Sequence, residues 1–403
     1  MSSDERPRIR PEIEFYVAGS DEEPVIHVHD PEGYATQIDR LSPGAVTVLR
    51  YFDGEHTLAE IQQALAAPDG TRLPFEQLEE FARHLDETAL LDGAGFARAK
   101  AERAAWLESP IRPAAHSGSA YPDDPQEAAA FLDEHLAHAP EPPSGPLARL
   151  IAPHIDLRLG SEVHGHAQAR LRAAGRPDVV VVIGVCHQAA AAPFIACRKD
   201  FETPRGTVRH DAALLDAIEK NYGGSLDRGA IAHETEHSVE FQAVWIAHHW
   251  PENPPTIVPL LARGFHEQID AQGSPRDSEN VERFVDALRA SIAADSRRIV
   301  VVASVDLAHV GPMYETEGLD EDGESGLAES DRALLDAIEA NDAEAFFGAI
   351  ARDGNATQVC GVAPIYLTLR LGDGPGELLR YGQGRIHPES GSVVSYTAIG
   401  FAD

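Results

Sequence analysis

The chain has 403 residues, enough for two or three domains with sizeable cores. Hydrophobic residues make up 43% and charged residues 25%, which argues against global disorder and against fibrous repeats. Lys and Arg number 33 against 66 Asp and Glu, and the formal charge of −33 disfavours nucleic acid and anionic membranes as partners. No apolar run approaches the ~18 residues that cross a bilayer. Met1 to Pro11 is polar, without an apolar signal segment. Three cysteines cannot build a disulfide framework, so a reducing cytoplasm is the expected compartment.

In chain order, residues 1–20 read as a polar lead-in. Val25–Val28 reads as a short strand and Asp30-Pro31-Glu32-Gly33 as a turn. Ser42-Pro43 opens a first helix whose apolar face is Ala45, Val46, Val48 and Leu49. Asp53-Gly54 ends it. Thr57 caps a second helix, with Glu60 completing a capping box and Leu58, Ile61 and Leu65 facing inward. A third runs from Pro74 to Glu87, with Phe75, Leu78, Phe81 and Leu85 at helical spacing. Leu90-Leu91-Asp92-Gly93 reads as the start of a small β-wing.

These elements suggest a winged-helix-like α+β module, placed at residues 1–105. Leu41-Ser42-Pro43, Asp53-Gly54-Glu55-His56-Thr57 and Leu90-Leu91 resemble the pattern of the PqqD-like family over residues 25–97. That resemblance implies capture of a leader peptide or partner protein by strand addition to a sheet edge. A generic winged helix without a peptide ligand is the alternative. DNA binding conflicts with the acidic charge.

Residues 98–146 contain a linker signal and a new start, with the Pro-rich stretch Pro140-Glu141-Pro142-Pro143-Ser144-Gly145-Pro146 as the clearest loop. Beyond it, strands are expected at Leu147–Ile151, Val179–Ile183, Thr256–Leu260, Ile299–Val302 and Val393–Ile399. Helices are expected over 211–220, 236–249, 281–294, 329–340 and 361–370. This alternation predicts an α/β fold with a central sheet.

Three strands end in chemistry-bearing residues: Ala152-Pro153-His154, Gly184-Val185-Cys186-His187 and Ser304-Val305-Asp306-Leu307-Ala308-His309. Cys360-Gly361 opens a helix. Ligands bind beyond the carboxyl ends of strands in open α/β sheets, so these segments can converge. Imidazole, carboxylate and thiolate form the donor set of a first-row transition metal. Singly, each has a plain structural role: a turn His, a helix-capping Asp306, a buried Cys360. Cys186 reads as a strand-end residue. His233-Glu234-Thr235-Glu236-His237 matches the H-E-x-x-H zincin signature. Glu240 and Ala243 stand where a metzincin needs Gly and His, and the helix is expected to start near Glu236, which separates His233 from His237.

Together with Arg112-Pro113-Ala114-Ala115-His116-Ser117-Gly118-Ser119-Ala120-Tyr121-Pro122, Glu236-His237-Ser238-x-Glu240-x-Gln242 and the closing Val393–Phe401, these motifs resemble the Memo family, also called AmmeMemoRadiSam system protein B, over residues 110–403. The resemblance places a Memo-like domain at 108–403 and implies an α/β fold with a central mixed sheet flanked by helices, as in class III extradiol dioxygenases. It carries metal-site positions onto His154, His187, Asp306, His309 and Cys360, with His237 lining the same cavity. His237 and His309 are then the expected proton carriers. The lining departs from the family pattern at Ile155-Asp156-Leu157, Val185-Cys186-His187-Gln188 and Val244-Trp245-Ile246.

The expected cofactor is iron or copper, with zinc also compatible. The expected function is redox-type metal chemistry on a peptide or protein, alongside the radical SAM proteins of such a system. Two alternatives stay open. One is a non-catalytic adaptor that uses the N-terminal module. The other is an extradiol ring-cleavage dioxygenase, against which the absent Glu ligand argues.

Overall fold

The computed structural model describes residues 3–19, 24–35, 40–139, 141–188, 192–387 and 390–402. The chain divides into two compact units, Met1–Glu108 and Ser109–Asp403. No helix among the described residues is long and apolar enough to cross a membrane.

The first unit contains a three-stranded antiparallel sheet of β1 (Glu14–Gly19), β2 (Pro24–His29) and β3 (Arg40–Leu41), with β2 central. Its helices are α1 (Pro43–Leu49), α2 (Leu58–Ala64), α3 (Phe75–Glu87) and α4 (Ala94–Glu108). Thr57 and Glu60 form the expected capping box. Leu58, Ile61, Leu78 and Leu85 are fully buried in one cluster. Two expectations fail here. The lead-in contains β1, which pairs with β2 from Glu14↔His29 to Gly19↔Pro24. The segment 90–93 forms no wing: Leu91 makes an isolated bridge to Ile9, and helix α4 follows. The reason is local. Alanine-rich sequence after Gly93 favours helix, and the Asp86 carboxylate accepts the Gly95 N–H at its start.

In chain order the second unit contains β4 (Ile111–Arg112), α5 (Pro125–Leu136), β5 (Arg149–Ala152), α6 (Ser161–Ala173), β6 (Val179–Val185), β7 (Phe194–Ala196), β8 (Asp200–Thr203), β9 (Gly206–Val208), α7 (Ala212–Tyr222) and α8 (His237–His249). It continues with β10 (Thr256–Ala262), α9 (His266–Asp270), α10 (Glu279–Ala294), β11 (Ile299–Ser304), β12 (His309–Val310), α11 (Glu321–Glu339), α12 (Ala343–Ala351), α13 (Val362–Leu369), β13 (Gly376–His387) and β14 (Ser392–Phe401). Of the Pro-rich stretch, Pro140 lies outside the described residues. Within the 98–146 segment, α4 runs to Glu108 and α5 spans Pro125–Leu136, so much of the linker signal is helical.

The main sheet has the order β12-β14-β5-β11-β6-β10-β7, with β13 added on β14. Strands β5, β11, β6 and β10 are mutually parallel, whereas β7 and β14 run antiparallel to their neighbours. The sheet is therefore mixed and the unit is α/β. Strand β6 is Val-Val-Val-Val-Ile-Gly-Val, buried at every position, as a strand covered on both faces requires. Gly184 breaks that run for a reason: a Cβ there would stand 2.3 Å from Ser238 Oγ of α8. The core joins Ile151, Val181, Ile183, Val258 and Val301 of the sheet to Phe284 of α10 and Ile365 of α13.

Candidate metal centre

Strands β5, β11 and β6 are adjacent and parallel, so their carboxyl ends leave one edge of the sheet together. Pro153-His154 follows β5, Val305-Asp306 follows β11 and Cys186-His187 follows β6. Cys360 arrives from the turn before α13, where Gly361 admits the Asp306 carbonyl; a Cβ on Gly361 would lie 2.7 Å from that oxygen. Ligand atoms of His154, His187 and Cys360 all fall within 4.8 Å of one another. The sheet thereby gathers three side chains separated by up to about two hundred residues.

The inner donors are held by backbone. His154 Nδ1 lies 2.9 Å from the Ser304 carbonyl, which can only accept, so Nδ1 carries the proton and Nε2 the lone pair. Nε2 sits 3.5 Å from Cys360 Sγ and 3.6 Å from Asp306 Oδ2. A tetrahedral ion with ordinary nitrogen and sulfur bond lengths separates those donors by ~3.5 Å. Asp306 caps no helix. Its Oδ1 accepts the N–H groups of His154 at 3.1 Å and Ile155 at 3.2 Å, which closes the β5 end onto the β11 end.

The outer donors are held by a carboxylate. His187 Nδ1 lies 3.0 Å from Glu236 Oε2, and the His187 N–H donates to the same oxygen. His237 packs almost parallel to His187, with ring centroids 4.9 Å apart, and its centroid is also 4.9 Å from that of His154. His309 pairs through β12 with Val394; its Nδ1 bonds the Leu307 carbonyl at 3.1 Å and its ring meets Tyr314 edge-on. It stands outside the 4.8 Å group.

Electrostatics sort the same groups. Burial pushes Asp306 up to about 7, pushes the Cys360 thiol well above its ordinary value, and holds His154 well below the ordinary imidazole value, helped by the neighbouring His237 and His187. Each shift favours the neutral form, the response of ionisable groups to a low-dielectric pocket. A bound cation reverses it for the acid and the thiol. These residues fit a transition metal: two oriented imidazoles and a thiol form one group, the Asp306 carboxyl stands outside it but 3.6 Å from His154 Nε2, and none has Lys or Arg among its ion-pair partners in the described residues. Burial lowers His237 and His309 to about 4 each. For Glu236 burial raises the value, but the His187 hydrogen bond, the His187 and His237 imidazoles and the Ser238 N–H together outweigh it and hold the carboxyl at about 2. Burial likewise lowers His187, and Glu236 more than compensates, leaving it above the ordinary value.

Helix α8 positions this outer layer. Arg112, fully buried, donates to the carbonyls of His233 and Glu236 at 3.0 Å each and to the Glu240 carboxylate. Glu240 also receives the Tyr121 hydroxyl and lies 3.0 Å from His116 Nδ1. Gln242 donates to the Pro153 carbonyl at 3.1 Å and to Ser304 Oγ at 2.9 Å, tying α8 to both inner strand ends. The zincin-like run is split: His233 sits in a separate 3-10 turn, bonded to the Ile195 carbonyl, and α8 begins at His237.

Sequence reasoning gave no role to Glu236, Glu240 or Gln242. They stand in the sequence only as part of the Glu236-His237-Ser238-x-Glu240-x-Gln242 motif, which by itself assigns them no partner.

Residues 112–400 match the family model described as "Memo-like protein". A MEMO1 family protein of Aquifex aeolicus is 26% identical over 380 residues, covering 93% of this chain and 95% of that one. That alignment is longer than the second unit, so it includes residues of the first. A MEMO1 family protein of Thermus thermophilus is 29% identical over 320 residues, 78% of this chain and 90% of that one. One of Methanothermobacter thermautotrophicus is 29% identical over 299 residues, covering 71% and 98% respectively.

Proposed function

Because the chain belongs to the Memo-like protein family, we propose that its Ser109–Asp403 unit holds a redox-active transition metal, iron or copper, on His154, His187 and Cys360. The substrate in this reading is a peptide or protein, handled within an AmmeMemoRadiSam-type system. The observation that carries the metal assignment is the 4.8 Å convergence of two backbone- or carboxylate-oriented imidazoles and a thiol at three strand and helix ends. When bound, such a metal supplies Lewis acidity and electron exchange.

The chain's own residues do the rest. Ser304 fixes the His154 tautomer through its carbonyl, and Glu236 fixes His187. Asp306 offers a fourth donor beside His154 Nε2. His237, with its side chain 31% exposed, can pass protons between solvent and the buried imidazoles. His309 is the second proton carrier, on β12. Iron and copper suit the imidazole–thiolate set, and zinc fits its geometry as well.

The first unit supports the peptide part of the reading. Among the described residues β1 pairs only with β2, and Phe15 and Tyr16 on it are 42% and 52% exposed. An extended peptide could add along that strand. Extradiol ring cleavage remains a distinct alternative, established if catechol turnover appears and is abolished by His154→Ala.

The test is the metal content of untagged protein purified without oxygen, for the parent and for His187→Ala with Cys360→Ala. Near-stoichiometric iron or copper that the double variant loses is the expected result. Folded, metal-free parent that takes up no added metal would leave the adaptor reading.

A further inference from the structure

We infer that a second metal ion binds on the outer side of His187, between Glu236 and His237, so that the His187 imidazole bridges two ions. The inner ion of this pair rests on the metal reading given above; the outer donor group stands on its own geometry.

Three donors define the outer position. His187 Nδ1 lies 3.0 Å from Glu236 Oε2 and 3.1 Å from Oε1, and His237 Nδ1 lies 3.4 Å from Oε1. Ligand atoms of all three fall within 4.8 Å of one another. Tetrahedral coordination at ordinary nitrogen and oxygen bond lengths spaces donors by ~3.3 Å. The His187 and His237 rings are near-parallel, 17° apart, and each presents its Nδ1 to the Glu236 carboxylate.

The charge of Glu236 is the second observation. Its side chain is 2% exposed, yet its only ion-pair partners among the described residues are the imidazoles of His187 and His237. Arg112 reaches the Glu236 backbone carbonyl and leaves the carboxylate alone. The carboxylate accepts the N–H groups of His187 and Ser238, and its charge is met by imidazole alone, a partner that a divalent ion can replace once the proton leaves. The side chains of His187 and His237 are 37% and 31% exposed, so the position opens to water for a fourth ligand.

Binding is a balanced exchange. The incoming divalent ion replaces the proton on His187 Nδ1, which leaves to solvent, and the imidazolate then spans both ions through its two nitrogens. Imidazolate and Glu236 together neutralise the outer divalent ion. The all-nitrogen-and-oxygen donor set selects zinc, cobalt, nickel, iron or copper(II) over copper(I). His237 then serves as a ligand when the outer ion is present, and proton transfer falls to His309.

The probe is cobalt(II), added to untagged apo-protein without oxygen and followed by its visible ligand-field bands and by the thiolate-to-cobalt charge-transfer band that only the inner site can give. The parent should take up two equivalents. Cys360→Ser should take up one and lose the charge-transfer band. His237→Ala, and the more conservative His237→Gln, should each take up one and keep that band. A parent that binds one equivalent with the band, unchanged in both His237 variants, overturns the outer site and leaves the inner one standing. Loss of all uptake in Cys360→Ser also overturns it. A single equivalent without the band, lost in the His237 variants, overturns the bridge and the inner reading together. No uptake by folded parent overturns both.

Discussion

The inner and outer layers of this centre use the same residue type and anchor it differently. His154 is locked by a strand-end carbonyl, and Asp306 by two backbone N–H groups, so the inner layer is as rigid as the sheet edge. His187 and His237 are held by one carboxylate at the N-cap of α8 and are partly exposed. Backbone anchoring fixes geometry at the cost of adjustment. Carboxylate anchoring permits rotation, solvent access and proton exchange.

The largest effect should come from removing inner donors. His154→Ala with Cys360→Ala abolishes uptake at the inner position, measured as metal per chain; retention of thiolate-type metal absorption would contradict the assignment. Next comes the outer anchor. Glu236→Gln keeps the shape but removes the charge that orients His187, and metal affinity should fall about 10–100-fold in chelator competition. Equal affinity would mean that the carboxylate is only a helix cap.

Gln242 links the layers. Gln242→Leu leaves the Pro153 carbonyl and Ser304 hydroxyl without that partner, and should cost about 1–3 kcal/mol in denaturant unfolding of the full chain. A neutral substitution would show that the strand ends need no tie to α8.

The last effect is a slope, absent at neutral pH. Burial lowers His249 to about 3, against an ordinary imidazole value of 6.5. The unfolded chain therefore takes up a proton below pH ~6.5 that the folded chain refuses until about 3. Stability from this group is complete above that window and falls as the pH drops through it, by ~1.4 kcal/mol per pH unit. His249→Leu should remove that share of the acid sensitivity, read from unfolding curves at pH 4, 5 and 7. An unchanged slope would place the acid response elsewhere.

Much of the sheet was legible because strands such as β6 are unbroken β-branched runs bounded by turn residues. The polar lead-in hid β1, whose Glu-Phe-Tyr-Val sequence lacks clean alternation and is stabilised by pairing to β2. The expected wing failed because Leu90 and Leu91 are buried, Leu91 in a single bridge to Ile9, and the alanine-rich segment after them is a better helix than strand. At the site, His154 and His187 were visible as residues after strand ends and Cys360 as one at the start of a helix. What periodicity could not carry was the second tier: Glu236, Glu240 and Gln242 act through contacts with residues up to about 125 positions away.

The most direct measurement is X-ray absorption on the iron- or copper-loaded full chain. The account predicts one sulfur scatterer at ~2.3 Å with imidazole nitrogens near 2.0–2.1 Å, and loss of the sulfur in Cys360→Ser. A metal bound without sulfur, indifferent to that substitution, would contradict it.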